Sequence, residues 1–243
     1  MNKLIALEVN FDINGSKNTL YPVILGDENE VVLVDCGYPD FFHLIKKAAK
    51  SNGIDMNKLT KIIITHHDFD HMGSLAAFKR AYPRIQVLSS IDDEPYISGK
   101  NKSLRLQQAE KLYDQLQENE KEGARAFHRL LESIESAEVD RCLHDKDSFP
   151  WCGGVEIIAT PGHMPGHISL YIKGCKTLIS GDALVIENNE LAIANPMFTL
   201  DIVEAKKSIN KLLTYEIDRI ICYHGGVYTK SDIQEALKKL SAI

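Results

Sequence analysis

Short apolar runs broken by polar turns open the chain, and their period switches between that of strands and that of helices. Residues 4–9, 20–25 and 30–34 read as strands, the first two joined by a turn at Asn14-Gly15. Asp40 is placed to cap a helix in which Phe42, Leu44, Ile45 and Ala48 recur at helical spacing, ended by Asn52-Gly53. The β-branched run at 62–64 suits a short buried strand, followed after a polar loop by a helix of about ten residues to Ala81, broken before Pro83. Residues 85–88 form another strand. From 91 to about 138 the pattern changes: charge and glutamine are abundant, no strand period is visible, and Leu104, Leu112, Leu116, Phe127, Leu130, Leu131 and Ile134 follow helical spacing. Two or three helices interrupted near Gly99 and Gly123 are expected there. Strands return at 155–159, 168–172, 177–179 and 219–223, with helices capped by Asp201 and Ser231. This alternation fits a mixed α/β sandwich.

Chemistry collects where these strands end. Lys-Ile-Ile-Ile-Thr-His-His-Asp-Phe-Asp-His-Met-Gly at 61–73 empties a strand into five potential ligands: His66, His67, Asp68, Asp70 and His71. A loop at a strand end can aim such groups at one point while the sheet holds them still. Nitrogen and oxygen donors at this density suit zinc, manganese or iron. By itself the stretch also reads as a polar strand-to-helix turn with surface histidines. Three further strand ends add to it: Thr160-Pro161-Gly162-His163-Met164-Pro165-Gly166-His167, Ser180-Gly181-Asp182 and His224-Gly225-Gly226.

With these residues in place, the sequence resembles the metallo-β-lactamase superfamily of binuclear metal hydrolases, whose pattern is H-x-H-x-D-H, a downstream His, a bridging Asp and a last His. The match falls on His66, Asp68, Asp70, His71, His163, Asp182 and His224, in order and over almost the whole chain. The family's second His is Asp68 here. Spacing favours Asp68 over its neighbour His67, which the pattern leaves free and which is expected to point away; a frame using His67 needs a different loop path. The resemblance implies a four-layer αββα sandwich over residues 1–243 as one domain, with the helical insertion, about 91–138, near the active site. It implies two divalent ions, zinc first with manganese or iron as alternatives. His66, Asp68 and His163 would hold one, and Asp70, His71 and His224 the other. Asp182 would bridge them, and Asp70 would also help to orient the attacking hydroxide. Asp35 and His167 are expected to support the ligands by hydrogen bonds. A carboxylate at Asp68 lowers the positive charge of the first site and shifts preference towards the harder ions.

Composition narrows the function. A net charge of −6 without a long basic run gives little support to a nucleic-acid groove or a polybasic membrane patch. Residues 1–10 turn polar too quickly for a signal peptide, and no run approaches a membrane span, so a soluble cytoplasmic protein is expected. Five cysteines without a C-x-x-C pair point to reduced thiols; Cys222, two places before His224, is a candidate thiol near the site. The expected activity is hydrolysis of a small ester, thioester or lactone by a hydroxide shared between the ions. The Pro-Gly-His-x-Pro-Gly-His stretch resembles lactonases and thioester hydrolases, but Ala183-Leu184-Val185 follow Asp182 where the lactonases place a tyrosine. Tyr171, Tyr223, Tyr228 and a bound water are the candidate leaving-group donors. The other classes are an iron-dependent redox enzyme, a phosphodiesterase or nuclease, and a sensor that binds metal without turnover. A small-molecule substrate is the expected partner. The insertion reads as a lid, with Arg125, His128 and Tyr113 as candidate contributors and Leu104 and Phe127 as apolar cover; a homodimer interface or a solvated hairpin are its other uses.

Overall fold

Side chains alternate along each strand between two different cores, and this parity sets the layering. The computed structural model describes residues 3–13 and 15–242. The first half contains β1 (Lys3–Ala6), β2 (Val9–Ile13), β3 (Ser16–Leu20), β4 (Val23–Gly26), β5 (Val31–Val34), α1 (Phe42–Ser51), β6 (Lys61–Ile63), α2 (Phe69–Met72), α3 (Leu75–Ala81) and β7 (Gln86–Ser90). Helices α4 (Glu94–Ile97), α5 (Leu104–Tyr113) and α6 (Glu118–Glu132) follow. Then come β8 (Arg141–Leu143), β9 (Ser148–Phe149), β10 (Val155–Ala159), β11 (Ile168–Ile172), β12 (Thr177–Gly181), β13 (Val185–Glu187) and β14 (Glu190–Ala192). The chain finishes with α7 (Ile202–Leu212), β15 (Arg219–Cys222), β16 (Gly226–Tyr228) and α8 (Ile233–Ala242).

Two six-stranded sheets result, in the orders β1-β4-β5-β6-β7-β8 and β16-β15-β12-β11-β10-β9. Leu25, Val32, Val34, Ile63 and Leu88 of the first sheet meet Ile157, Ile168, Leu170, Ile179 and Ile221 of the second in a central core. Their neighbours Ile24, Leu33, Ile62 and Val87 face outwards onto Ile45 and Ala49 of α1 and Leu75 and Phe78 of α3. On the far side Ile158, Leu178 and Ile220 pack on Ile209 and Leu212 of α7 and Leu237 of α8. Every central strand is therefore apolar on both faces, as a doubly covered sheet requires. The architecture is the four-layer αββα sandwich.

Strand direction brings the chemistry to one edge. β5, β6 and β7 run parallel, so Asp35, the 65–71 loop and Asp93 all leave the first sheet at the same end. In the second sheet β12 and β15 run parallel and deliver Asp182 and His224 together; β11 is antiparallel to β12, so the 160–167 loop enters it at that same edge.

Several local expectations are corrected. The N-terminal strands are not joined directly: β2 and β3 pair as a separate two-stranded ribbon between β1 and β4, with Gly15 in its turn and Asn14 outside the described residues. Asp40 does not cap α1; it lies at φ 68° and the cap position is Phe41, with no side-chain hydrogen bond. The helix to Ala81 is α3, seven residues long, and the polar loop before it holds a further helical turn, α2; the two part at Ser74, which leaves helical geometry at φ −98°, ψ 6°. Gly123 lies inside α6 and interrupts nothing, whereas Gly99 does follow the end of α4. Among the described residues no helix is long and apolar enough to cross a membrane.

Candidate metal centre

Asp35 organises the first half of the centre from beneath. It sits at φ 60°, a left-handed conformation unusual for a residue with a side chain, and its carboxylate accepts from the Thr65 amide at 2.8 Å and the Thr65 hydroxyl at 2.8 Å. The same carboxylate lies 2.9 Å from His71 Nδ1. With Nδ1 holding the proton for Asp35, the lone pair of His71 Nε2 is left to a metal ion. His66 is set in the same way, its Nδ1 3.0 Å from the Thr65 hydroxyl. His167 supports the second half. Its Nε2 accepts from the Asp182 amide at 2.9 Å, and its Nδ1 lies 2.8 Å from the Thr160 hydroxyl. The fit is close: at Gly181, φ 53°, a Cβ would stand 2.6 Å from His167 Nε2.

The donor atoms converge. His163 Nε2 lies 3.0 Å and His66 Nε2 3.6 Å from Asp68 Oδ2. His224 Nε2 lies 3.1 Å and His71 Nε2 3.9 Å from Asp70 Oδ2. Asp182 stands between the two groups, with Oδ2 3.6 Å from His163 and 3.5 Å from His224 and Oδ1 3.3 Å from His71. Donors around one tetrahedral ion are separated by roughly 3.3–3.6 Å when each bond is about 2.0–2.2 Å. His66 Nε2, His71 Nε2 and Asp182 Oδ1 are buried without any hydrogen-bond partner, an arrangement that costs free energy unless something else engages them. The residues present therefore fit a pair of divalent ions. The groups His66–Asp68–His163, His66–His71–Asp182 and Asp70–His71–His224 each bring their donors within 4.8 Å of one another.

Protonation follows from burial and neighbours. Burial, reinforced by His71, pushes His66 well below the ordinary imidazole range. Burial likewise drives His167 down, to about 3, with His163 adding to it. Burial would also depress His71 and His224, but Asp182 and the other carboxylates beside them prevail and raise both. Desolvation opposes charge on Asp68 and Asp182 as well. The histidines and Arg105 around Asp68, and His224 and His71 around Asp182, overcome it and hold both well below the usual carboxylate range.

Arg105 is the residue the sequence did not disclose. It lies on α5, in the insertion, is 2 % exposed, and grips Asp68 with both ends of its fork: Nε to Oδ1 at 3.0 Å and Nη2 to Oδ2 at 2.6 Å. Its one sequence signal was position, between Leu104 and Leu106 in a charge-rich segment. Arg125, by contrast, pairs with the Tyr113 hydroxyl on the exposed side at 2.8 Å, and neither these two nor His128 lines the metal-side cavity. Phe127 reaches the cavity through Phe69, ring centroids 5.5 Å apart. His67 turns away from the other donors: its ring stacks on Tyr96 at 4.4 Å, its Nδ1 lies 3.0 Å from Asp93, and its Nε2 accepts from the Leu104 amide at 3.4 Å. Cys222 is buried in the outer core under α7 and α8, and burial pushes its thiol up to about 12, so it is no thiol of the site.

The sequence profile of the metallo-beta-lactamase superfamily matches residues 21–224. The chain belongs to that superfamily. "Probable metallo-hydrolase YflN" of Bacillus subtilis is 29 % identical over 244 aligned positions, covering 93 % of this chain and 88 % of that protein. A hydroxyacylglutathione hydrolase of Brucella anthropi is 25 % identical, covering 89 % of this chain and 65 % of that one. In structure, the metallo-beta-lactamase family protein TTHA1429 of Thermus thermophilus superposes with a TM-score of 0.74 at 20 % identity, over 98 % of this chain and 78 % of that chain. The superfamily's metallo-hydrolase chemistry is thus the setting in which the cluster is read.

In this superfamily member a cavity of about 300 Å³ opens onto the cluster. Asp68, Asp70, His163, Asp182 and His224 form its floor, and Tyr38, Phe69, Val185, Ile186, Ala194 and Phe198 give it mainly apolar walls. A larger hollow of about 470 Å³, near Glu8, Asn10 and Lys47, contains none of these ligands.

Proposed function

We propose that the protein hydrolyses a small ester, thioester or lactone with two divalent ions, zinc before manganese or iron. The observation that carries this reading is a small, largely apolar cavity whose floor is the donor cluster, the usual form of a small-molecule site. The hydroxyacylglutathione hydrolases among the relatives support a thioester. Ions held there would acidify a water and polarise the substrate's carbonyl oxygen.

The chain's own residues supply the rest. Asp70 lies on the cavity floor and accepts a hydrogen bond from the attacking water, turning its lone pair towards the carbonyl carbon. Apolar walls at Val185, Ile186 and Phe198 hold the acyl part and exclude bulk water. The three tyrosines named from the sequence are engaged elsewhere: Tyr171 donates to the Glu216 carbonyl at 2.6 Å, Tyr223 to the Asp70 carbonyl at 2.6 Å, and Tyr228 to Asp232 at 3.0 Å. Tyr38 lines the cavity instead. Burial, with Asp70, Asp182 and Asp68 nearby, raises its phenol above the ordinary range and keeps it protonated, ready to donate to the leaving group. The cavity's single guanidinium, Arg105, is committed to Asp68, which disfavours an anionic polymer as substrate.

A panel of thioesters, lactones, phosphodiesters and β-lactams is assayed against zinc- and manganese-loaded protein, with Asp182→Ala as control. Turnover of a thioester or lactone that is lost in the control is expected. Preferential cleavage of phosphodiesters would replace the acyl reading while leaving the centre intact.

A further inference from the structure

We infer that Asp68 and Arg105 act as one unit in the first metal site: Arg105 is a positioning residue that turns Asp68 into a charge-balanced, single-atom ligand and ties the seating of α5 to occupancy of that site. The inference rests on the two-ion reading of the cluster and adds a device to it.

Three observations carry it. The first is geometric. Asp68 Oδ2 faces His163 Nε2 at 3.0 Å and His66 Nε2 at 3.6 Å and also accepts from Arg105 Nη2 at 2.6 Å, itself 3.4 Å from His163 Nε2, while Oδ1 accepts from Arg105 Nε at 3.0 Å. Arg105 takes both oxygens from its own side, and only Oδ2 also faces the two histidines, so Asp68 turns a single oxygen towards an ion. The second is electrostatic. Asp68, Asp70 and Asp182 place three carboxylates at the centre, all buried. A buried cation paired with one of them cancels the extra negative charge of Asp68, so the pair together carries the charge of one neutral imidazole. The shift towards harder ions expected from Asp68 alone is thereby offset. The third is mechanical. Beyond Asp68, Arg105 donates from Nη2 to the Phe198 carbonyl at 2.8 Å and from Nη1 to Gln108 at 2.6 Å, and Gln108 reaches the Met197 carbonyl at 3.1 Å. The N-terminus of α5 is moored by the Leu104 amide to His67, on the metal loop itself. Moving Asp68 out of its ligand position would therefore release one of the moorings that hold α5 at the cavity's side. With its donors so engaged, Arg105 has little left for a substrate anion.

The test measures zinc by calorimetry and bound-ion analysis on full-length wild type, Arg105→Met, Arg105→Lys and the double variant Asp68→His/Arg105→Met. Limited proteolysis of the 104–132 segment, with and without zinc, is read alongside. Wild type is expected to bind two ions and to protect the segment on loading. Arg105→Met should weaken one ion about 10–100-fold, as loss of a ligand's outer partner does, leave the other unchanged, and abolish the zinc-dependent protection. Arg105→Lys should recover part of the affinity, and the double variant should regain the second ion because a neutral imidazole needs no cation beside it. Wild type binding no zinc would overturn the two-ion reading itself. With wild type binding two, the Arg105 inference is overturned by unchanged or tighter binding in Arg105→Met, by equal loss of both ions there, or by a double variant no better than Arg105→Met.

Discussion

His167 makes the stability of the metal-free protein depend on pH in a way that can be worked out in advance. Its Nε2 must be unprotonated to accept from the Asp182 amide, and its Nδ1 proton is used on Thr160. A second proton would set two N–H groups against each other in a buried site. The folded value of about 3 lies below the roughly 6.5 of an unfolded imidazole, so the unfolded chain binds more protons between those limits. Stability from this residue is therefore complete above about pH 6.5 and is lost as pH falls towards 3. The slope approaches about 1.4 kcal/mol per pH unit, and integration from pH 7 to pH 5 gives a loss of about 2 kcal/mol. Urea unfolding of chelator-treated wild type and His167→Gln over that range reads the effect. An amide oxygen can take the Asp182 hydrogen bond but does not titrate, so the variant should lose about 2 kcal/mol less than wild type across the range. His66 titrates in both proteins and cancels. The raised His71 and His224 add stability as pH falls towards the unfolded value and keep that full contribution, without further gain, below it, and they too are common to both. Parallel curves would refute the reasoning and show that His167 accepts a proton in the folded state.

Asp68→Ala should lose one ion and destabilise the protein by about 3–5 kcal/mol, because it strands the buried Arg105; His67→Ala should keep both ions, and the reverse outcome in metal titrations would show the loop read in the wrong frame. Gly181→Ala should cost on the order of 2–4 kcal/mol in urea unfolding, from the positive φ and the clash with His167; a cost within a few tenths would contradict the close approach. Tyr38→Phe should lower kcat about a hundredfold with the ion count unchanged, and an unaltered kcat would remove Tyr38 as proton donor.

Much of the site was legible because apolar strands end where ligands begin. Ile62 and Ile63 had to be buried on both faces, and the residues just after them had to emerge at the sheet's edge. The grouping of Asp182 with His224 needed only that two such strands run parallel, which the sequence does not state but the family resemblance implied. The Arg105–Asp68 pair was not legible at all. It joins residues 37 apart through the way α5 folds back, and no local period encodes that return. The β2–β3 ribbon was missed because Val9 and Leu20 are buried like the sheet strands beside them, which hid the change of partner. Tyr38 was passed over because a tyrosine just after Asp35-Cys36-Gly37 gives no hint of facing a cavity that both halves of the chain enclose.

That division between halves has a consequence for how the protein is made. His66, Asp68, Asp70 and His71 leave the first sheet, whereas His163, Asp182 and His224 leave the second. During synthesis the early quartet exists long before its counterparts, and each proposed ion needs donors from both. A nascent chain that has reached only the insertion cannot capture either ion in its final coordination. The first proposed ion would need the chain through Asp182, the second also the stretch carrying His224, and both would need the two sheets closed on each other. From then on each proposed ion would act as a rivet through the sandwich, so chelation should loosen the seam between the sheets before it disturbs either sheet alone.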